Sequence, residues 1–591
     1  MSHLDYTVIV FYFAFMLALG FVYKKFSRTS SDYFRGGGGM IWPMVGISTF
    51  VMQFTAWSFT GGAGKAYDTG VFFLILFACN IVGWTLTVLV TAPWFRQMRI
   101  ITGVEGVRKR FDAVNEQFFT WLPVPFFVIF GGIGLYAISI FVSAVFGMDI
   151  RSTILAIGIT VTVMSILGGS WAVAASNFIQ LLTILSVVAI MAFMALRHPD
   201  VGGLGNLIAS LPETHLNPAI DVRPSLLFPF IICLALSQIL ALNNMTHGAA
   251  GFVFVKNGRD ARKAALMSWI GSFIMPLLWA VPALASVLIF ENLATSFPQL
   301  NNPSEAAYAA MAMKLLPAGL LGLLVCAIFA ATMSSMDAGL NRSAGIITRN
   351  FYLPIINPQA TEERQLVIGK SITGLLGFLM ILTGTYFSTL QSMPLFDLIL
   401  IASAAVGIPV ATPLFLCLFI RKIPPWAGWS TALVGFIASV VLHFWMTPDN
   451  LQSLYGGEPL TPRELGELRI TLTNGVLIAV SAAWFFITTL FYRRSSDRYK
   501  QRMQAFFKEM HRPIDMRVEH IPSYDNDRRQ YNTLGMSCMA YGGILALFAL
   551  APNTPYGRLG ILFCGGFIAL IGLLFWWIGH RLQFADWEKE N

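Results

Sequence analysis

Charged side chains are scarce in this chain. Asp, Glu, Lys and Arg supply 12% of its 591 residues, against 56% hydrophobic residues. A soluble domain carries about twice that share of charge, so an ordinary soluble globular protein is excluded. Histidine is sparse as well. His3, His198, His215, His247, His443, His511, His520 and His580 lie far apart, with no HExxH and no paired-carboxylate motif. That spacing argues against a metallohydrolase or an acid–base enzyme, and no enzymatic activity is expected. The six cysteines, Cys79, Cys233, Cys326, Cys417, Cys538 and Cys564, all fall in apolar stretches and form no CxxC pair. They read as small core residues rather than a redox or metal centre.

What the chain has in abundance is apolar runs of about 20 residues, the length that crosses the hydrocarbon core of a bilayer. Fifteen are visible, near 5–23, 41–63, 71–95, 119–147, 150–168, 171–196, 224–250, 264–290, 318–349, 367–389, 395–420, 428–447, 470–492, 534–552 and 557–580. The expected fold class is therefore an all-α polytopic membrane protein with about 15 transmembrane helices. The first run, DYTVIVFYFAFMLALGFVY, has no basic residues before it and no small-residue cleavage site, so it reads as a retained helix.

Lys and Arg set the expected orientation. With the N-terminus outside, the loops near 24–40, 96–118, 251–263, 342–370, 421–422 and 493–531 and the tail after 580 are cytoplasmic. Lys65, Arg151, Arg197, Arg223, Lys314, Arg463, Arg469 and Arg558 are left outside, and the rest of the 39 Lys and Arg are inside. This is the positive-inside pattern. The net charge of +9 then reflects topology and anionic lipid, and no nucleic-acid partner is expected. The partners implied are the lipid bilayer and a small-molecule solute, with no obligate protein partner evident. The location is the plasma (inner) membrane, multi-pass, with the C-terminus cytoplasmic.

Residues 197–223 form a long polar outer loop, and PSEAAYAAMAMKLLP within 291–317 reads as a short outer helix begun by Pro303 and Ser304, with Glu305 in its first turn. Residues 493–532 are a charged cytoplasmic linker, expected to solubilise the chain. Residues 533–591 read as a C-terminal transmembrane hairpin and cytoplasmic tail, an appendage to a core spanning 1–492. A long-range symmetry is visible in the core: segments near 41–63 and 224–250 each open a block of five helices. Inverted-repeat transporters are built this way, with interrupted helices holding the ligand.

The stretch FTAWSFTGGAGKAYDTG, Phe54 to Gly70, places hydroxyls and glycines where a membrane helix would be expected to run unbroken. Non-helical backbone at that depth is tolerated only where protein buries it or water reaches it. A break there frees carbonyl oxygens that, with the hydroxyls, suit a small hard cation. Close helix packing through Gly61, Gly62 and Gly64 is the competing reading. A second stretch, AIFAATMSSMDAGLNRSAGIITRNFYLP from Ala327, puts Ser334 and Ser335 three and four residues after Ala331, on one helix face. Serines bonding back to their own helix are the plainer reading there.

With these residues in view, the chain resembles the sodium:solute symporters, the family of sodium/glucose transporters and proline permeases. The similarity rests on GKAYDTG after the first break, TGVEGVRKRF from Thr102 to Phe111, and LGG near Leu167. It continues through KNGRDARKAA from Lys256 and LLPAGLLGLLVCAIFAATMSSM over 315–336. It covers roughly residues 1–492. The resemblance implies a LeuT-like core of two inverted five-helix repeats, about 41–196 and 224–420, with one extra N-terminal helix and additional C-terminal helices. It also implies a sodium ion held by the carbonyls of Val51, Phe54 and Ala331 and the hydroxyls of Ser334 and Ser335. The substrate is expected beside it, facing Gln53, Thr55, Trp57 and Ser58 on the first broken helix and Asn243, Asn244 and Thr246 from the other half. Asp397 reads equally as a helix cap or a ligand.

The departures from the family pattern are specific. Sugar-transporting members carry a glutamine where this chain has Ser58, a glutamate near Phe77 and a lysine at Ser272, so their sugar cage is not reproduced. Many members carry a Thr-Asp pair that supports a second sodium; here it is Ser176 and Asn177, and one sodium per cycle is expected. One charge moving through about 100 mV yields roughly 2.3 kcal/mol, and a tenfold gradient adds about 1.4 kcal/mol. Together they support accumulation of a neutral solute by roughly several hundred-fold. The expected function is sodium-driven uptake of a small neutral or zwitterionic organic solute by alternating access. Sugar or monocarboxylate uptake is the alternative, and a transporter-like sensor or a channel is the reading from a different class.

Overall fold

The computed structural model describes residues 1–23, 38–51, 54–167, 170–297, 300, 302–389, 395–515 and 524–590. Gln53 and the glycines of the LGG stretch lie outside the described residues. Among the described residues there is no strand, and thirteen helices are long and apolar enough to cross a membrane; two shorter apolar helices, Trp42–Val51 and Ile150–Val163, complete the set.

After α1 (His3–Tyr23), the first block of five opens on a helix broken in its middle: α2 (Trp42–Val51) is its inner half and α3 (Ala63–Thr69), entered through a π-helical turn Ser58–Gly62, its outer half. Then come α4 (Leu74–Leu86), α5 (Gly103–Arg110), α6 (Pro123–Phe146), α7 (Ile150–Leu167) and α8 (Ser170–Arg197). The second block opens the same way. α9 (Pro224–Asn243) stops, Asn244 to Thr246 turn, and a short helix resumes at His247. α10 (Gly258–Ile289), α11 (Leu320–Ile347), α12 (Glu362–Phe387) and α13 (Leu395–Phe419) follow. Each broken helix packs against the second helix of the opposite block, α2 on α10 and α9 on α4.

Local chemistry marks the ends. Asp5 of α1, almost fully buried, accepts the backbone N–H groups of Gly319 at 2.7 Å and Gly322 at 2.9 Å. A carboxylate there complements the positive end of α11, the helix of the MSS stretch. Gly64 lies so close to the outer loop that a Cβ would sit 3.1 Å from the Glu305 nitrogen, so this glycine serves close packing. The expected outer helix is present as a 3-10 turn Pro303–Ala306 leading into Ala307–Leu315.

Beyond the core lie α14 (Ala427–Trp445) and α15 (Pro462–Thr489), the latter opened by a Thr461–Glu464 capping box. The charged linker contains α16 (Asp497–His511), which docks on the core. Tyr499 lies 3.3 Å from the fully buried Arg110, and the Arg110 guanidinium also donates to the carbonyls of Cys417 at 2.9 Å and Ile420 at 2.7 Å. The C-terminal hairpin, α17 (Tyr524–Leu547) and α18 (Pro555–Glu590), packs on α8 and α1.

Candidate functional site

The site grows from the first break. Phe54 N–H turns back to the Val51 carbonyl at 3.0 Å, and Ser58 N–H to the Thr55 carbonyl at 2.9 Å. The Ala56 N–H donates to the Thr332 hydroxyl of α11 at 2.8 Å, and that hydroxyl in turn donates to the Ile328 carbonyl at 3.0 Å. A helix start needs caps for its first N–H groups, and here a neighbouring helix supplies one. The cross-link brings the break beside Ala331, Ser334 and Ser335. Thr332 was not singled out in the sequence, although it follows Ala331 directly.

Both serines are engaged as donors. Ser335 donates to the Thr332 carbonyl at 2.8 Å. Ser334 donates to the side-chain oxygen of Asn177 on α8, whose side-chain nitrogen donates to the Ser48 hydroxyl of α2 at 2.7 Å. A hydroxyl that donates its proton keeps lone pairs for a cation, so these bonds are compatible with the oxygen cage expected for Val51, Phe54, Ala331, Ser334 and Ser335. Asp337, one turn beyond Ser334 on the same face, is buried and accepts from the Ser165 hydroxyl of α7. It was missed because a single acid in the text MSSMDAG carries no spacing signal.

Next to the break lies a cavity of about 290 Å³, lined by Thr55, Trp57, Asn80, Gln238, Ser272 and Ser403 together with apolar side chains and, among the described residues, by no charged group. Trp57 stacks on Phe396 with centroids 5.3 Å apart. Asn80 of α4 donates to Gln238 of α9 at 3.3 Å; neither amide was expected. Phe77 and Ser272, where sugar-transporting relatives were noted to carry charged residues, line the same space.

The remaining expected substrate residues are placed elsewhere. The Ser58 hydroxyl is buried and has no partner among the described residues. Asn243 is occupied at the second break: its side-chain oxygen accepts from Thr87 at 3.0 Å and Thr91 at 2.6 Å, and its nitrogen donates to the Gly83 and Ile239 carbonyls. Asn244 holds the turn, accepting from the Thr246 N–H at 3.2 Å and hydroxyl at 2.9 Å. Thr246 lines two cavities on the inner side, below the break. The structure therefore brings Thr55 and Trp57 together and separates them from Asn243, Asn244 and Thr246.

Above the cavity the outer half-helix is locked. Lys65 lies 3.3 Å from Asp397 of α13 and 3.6 Å from Glu467 of α15, so Asp397 serves an ion pair here. Glu305 accepts the Leu395 N–H at 2.7 Å. Burial is the main cause that pushes the Glu305 carboxyl up to about 7; the Leu395 hydrogen bond opposes it and nearby Asp68 adds to it.

A sequence profile described as the sodium:solute symporter family matches residues 33–437. Sodium/myo-inositol cotransporter 2 of Homo sapiens is 26% identical over 498 residues, covering 75% of this chain and 71% of that protein. The sodium/sialic acid symporter NanT of Aliivibrio fischeri is 24% identical over 457 residues, covering 75% and 87%. Among solved structures, a substrate-bound, outward-open Na+-coupled sialic acid symporter shares the fold with a TM-score of 0.66 at 19% identity, over 84% of this chain and 98% of that one.

Proposed function

The chain belongs to the sodium:solute symporter family, and from that premise we propose that it imports a small neutral or zwitterionic organic solute with one sodium ion per cycle. It is a sodium-coupled, multi-pass membrane transporter with a LeuT-like fold. The observation that carries the substrate reading is the uncharged cavity at Thr55, Trp57, Asn80 and Gln238. Its size suits a small organic molecule. Amide and hydroxyl groups offer both donors and acceptors to neutral polar groups, and the Trp57 face suits a ring or aliphatic body.

In this reading, sodium is a transported substrate. The carbonyls of Val51, Phe54 and Ala331 and the hydroxyls of Ser334 and Ser335 bind it, and the solute occupies the adjoining cavity. Sodium binding would draw α2 and the Ala56 end of the break onto α11, organising Thr55 and Trp57 for the solute. The ion pairs of Lys65 would close the outer side. Orientation follows the Lys and Arg distribution, N-terminus outside.

The test is thermal stabilisation of the purified protein by a panel of amino acids, polyols, sugars and small carboxylates, with and without sodium. One class should stabilise only with sodium, and the Ser334→Ala/Ser335→Ala variant should abolish the effect. Uphill accumulation in proteoliposomes separates this reading from a channel. Stabilisation indifferent to sodium for every ligand would overturn the cage.

A further inference from the structure

We propose that Arg342, with Asn341, forms an anion subsite in the inner half of the pathway that takes the carboxylate of the transported solute. The inference deepens the proposed function, resting on the reading that a small organic solute passes through this core, and narrows that solute to one bearing an acid group.

Arg342 lies on α11 seven residues beyond Ser335, about 10 Å along the axis. It lines a cavity of about 390 Å³ that Ser335, Gly339, Ser343 and Thr246 also line. It also lines a second cavity of about 120 Å³ with Asn341 and Thr246. The side chain is half-buried. Among the described residues it makes no hydrogen bond, ion pair or ring contact. The side-chain nitrogen of Asn341 is likewise buried without a partner.

Two other inner-side cations are engaged. Arg108 lies 3.4 Å from Glu116, and Arg110 reaches Cys417 and Ile420. Three inner-side acids are already used, Asp337 by Ser165, Glu116 by Arg108 and Asn350, and Glu105 by the Ile101 N–H.

An ionised group within a membrane-spanning core is costly unless paired, and such residues mark ligand pathways. A guanidinium left with its whole fork of donors free fits one ligand class best, a planar carboxylate bound by two parallel N–H···O bonds. Asn341 adds a further donor. Among the described residues, the cavity by Thr55 and Trp57 is lined by no charged group and the two inner cavities that Thr246 lines by Arg342 alone, so the neutral part of the solute is recognised first. The field of Arg342 then draws the carboxylate inward.

The test uses the purified full chain in a buffer whose only other anion is a bulky sulfonate. Acetate is titrated as the probe and chloride as the competing small anion, in sodium and again in choline, with the rise in apparent Tm as readout. Acetate should stabilise the native protein. Arg342→Lys should bind it more weakly, Arg342→Gln about tenfold more weakly or not at all, and chloride should have little effect. Equal stabilisation of Arg342→Gln, no effect on the native protein, or chloride acting as strongly as acetate each overturns the assignment. If Arg342→Gln does not fold, Arg342→Lys and Asn341→Leu carry the test, and both must weaken acetate binding. The choline series does not depend on the sodium cage, so failure of the cage and failure of the subsite are read separately. In uptake assays the carried solute should bear a carboxylate; a carried solute without one also overturns the proposal.

Discussion

The side-chain nitrogen of Asn177 donates to the Ser48 hydroxyl at 2.7 Å, while its oxygen accepts from Ser334. One neutral amide thus ties the inner half of the broken helix to the serine face of α11. An aspartate could not donate to Ser48, but it would add a fixed negative charge beside the cage. Uptake by the native protein should therefore follow sodium with a Hill coefficient near one. Asn177→Asp should tighten apparent sodium affinity several-fold and raise the coefficient, by the usual strengthening of a cation site with an added carboxylate. A native coefficient clearly near two would sink the one-sodium reading.

Thr332 caps the restarted helix from a different element. Thr332→Val should leave the Ala56 N–H without its partner, costing about 1–3 kcal/mol and loosening the break. Thr332→Ser should retain most of both. Sodium-dependent stabilisation is the measurement; a valine variant with unchanged sodium response would remove Thr332 from the site's architecture.

These two residues also mark the limits of reading the sequence. The first break was legible because hydroxyls and glycines interrupt an apolar run, and the serine pair because Ala331, Ser334 and Ser335 share a helix face. The lateral partners were not. Asn80 and Gln238 meet across 158 residues, and a lone amide in an apolar run gives no hint of its neighbour. Asn243 stands at the second break, where its bonds to Thr87 and Thr91 hold the joint. Arg342 was counted as one more inner charge, because only the fold shows that no carboxylate among the described residues pairs with it.

Glu305 makes the outer loop pH-sensitive. Its carboxyl is pushed from the usual 4.5 up to about 7 in the fold, mainly by burial. A raised value means the folded state holds the proton more tightly than the unfolded chain. The stability it contributes is thus complete below about pH 4.5 and is lost as pH rises through about 7, a change on the order of 3 kcal/mol. Glu305→Gln should flatten the Tm profile between about pH 5 and 8. A glutamine variant with the same pH slope as the native protein would assign that slope to other groups.

Lys65 holds α3 to α13 and α15 through Asp397 and Glu467. Removing one partner from a buried charge cluster typically costs about 3–5 kcal/mol, because the opposite charges remain. Asp397 is partly exposed, at 29% of its side chain, so the loss should fall at or below the lower end. Lys65→Ala should favour an open outer side, and a cysteine placed at Ser403 should label faster from outside. Adding Glu467→Gln should restore part of the native labelling rate. Slower labelling in Lys65→Ala would show that these ion pairs do not close the outer path.

The C-terminal hairpin is more than an appendage. Gln530 accepts the Ile41 N–H at 2.9 Å and donates to the Gly39 carbonyl at 2.8 Å, fastening the backbone just ahead of α2. Three residues earlier on the same helix, Asp527 lies 2.7 Å from the largely buried Lys256 that precedes α10. α2 and α10 are packed neighbours, so the hairpin holds the inner ends of two core helices. If the inner half of the broken helix moves during transport, these contacts set how far it travels. Gln530→Leu should leave the Ile41 N–H unpaired and lower stability by about 1–3 kcal/mol. It should also weaken sodium-dependent stabilisation, because Val51 sits at the far end of the helix being released. Asp527→Asn keeps the shape but removes the carboxylate that lies 2.7 Å from the Lys256 ammonium, and should also lower stability. A loss of Tm with an unchanged sodium response would make the hairpin a brace alone; loss of both would tie it to the cage through α2.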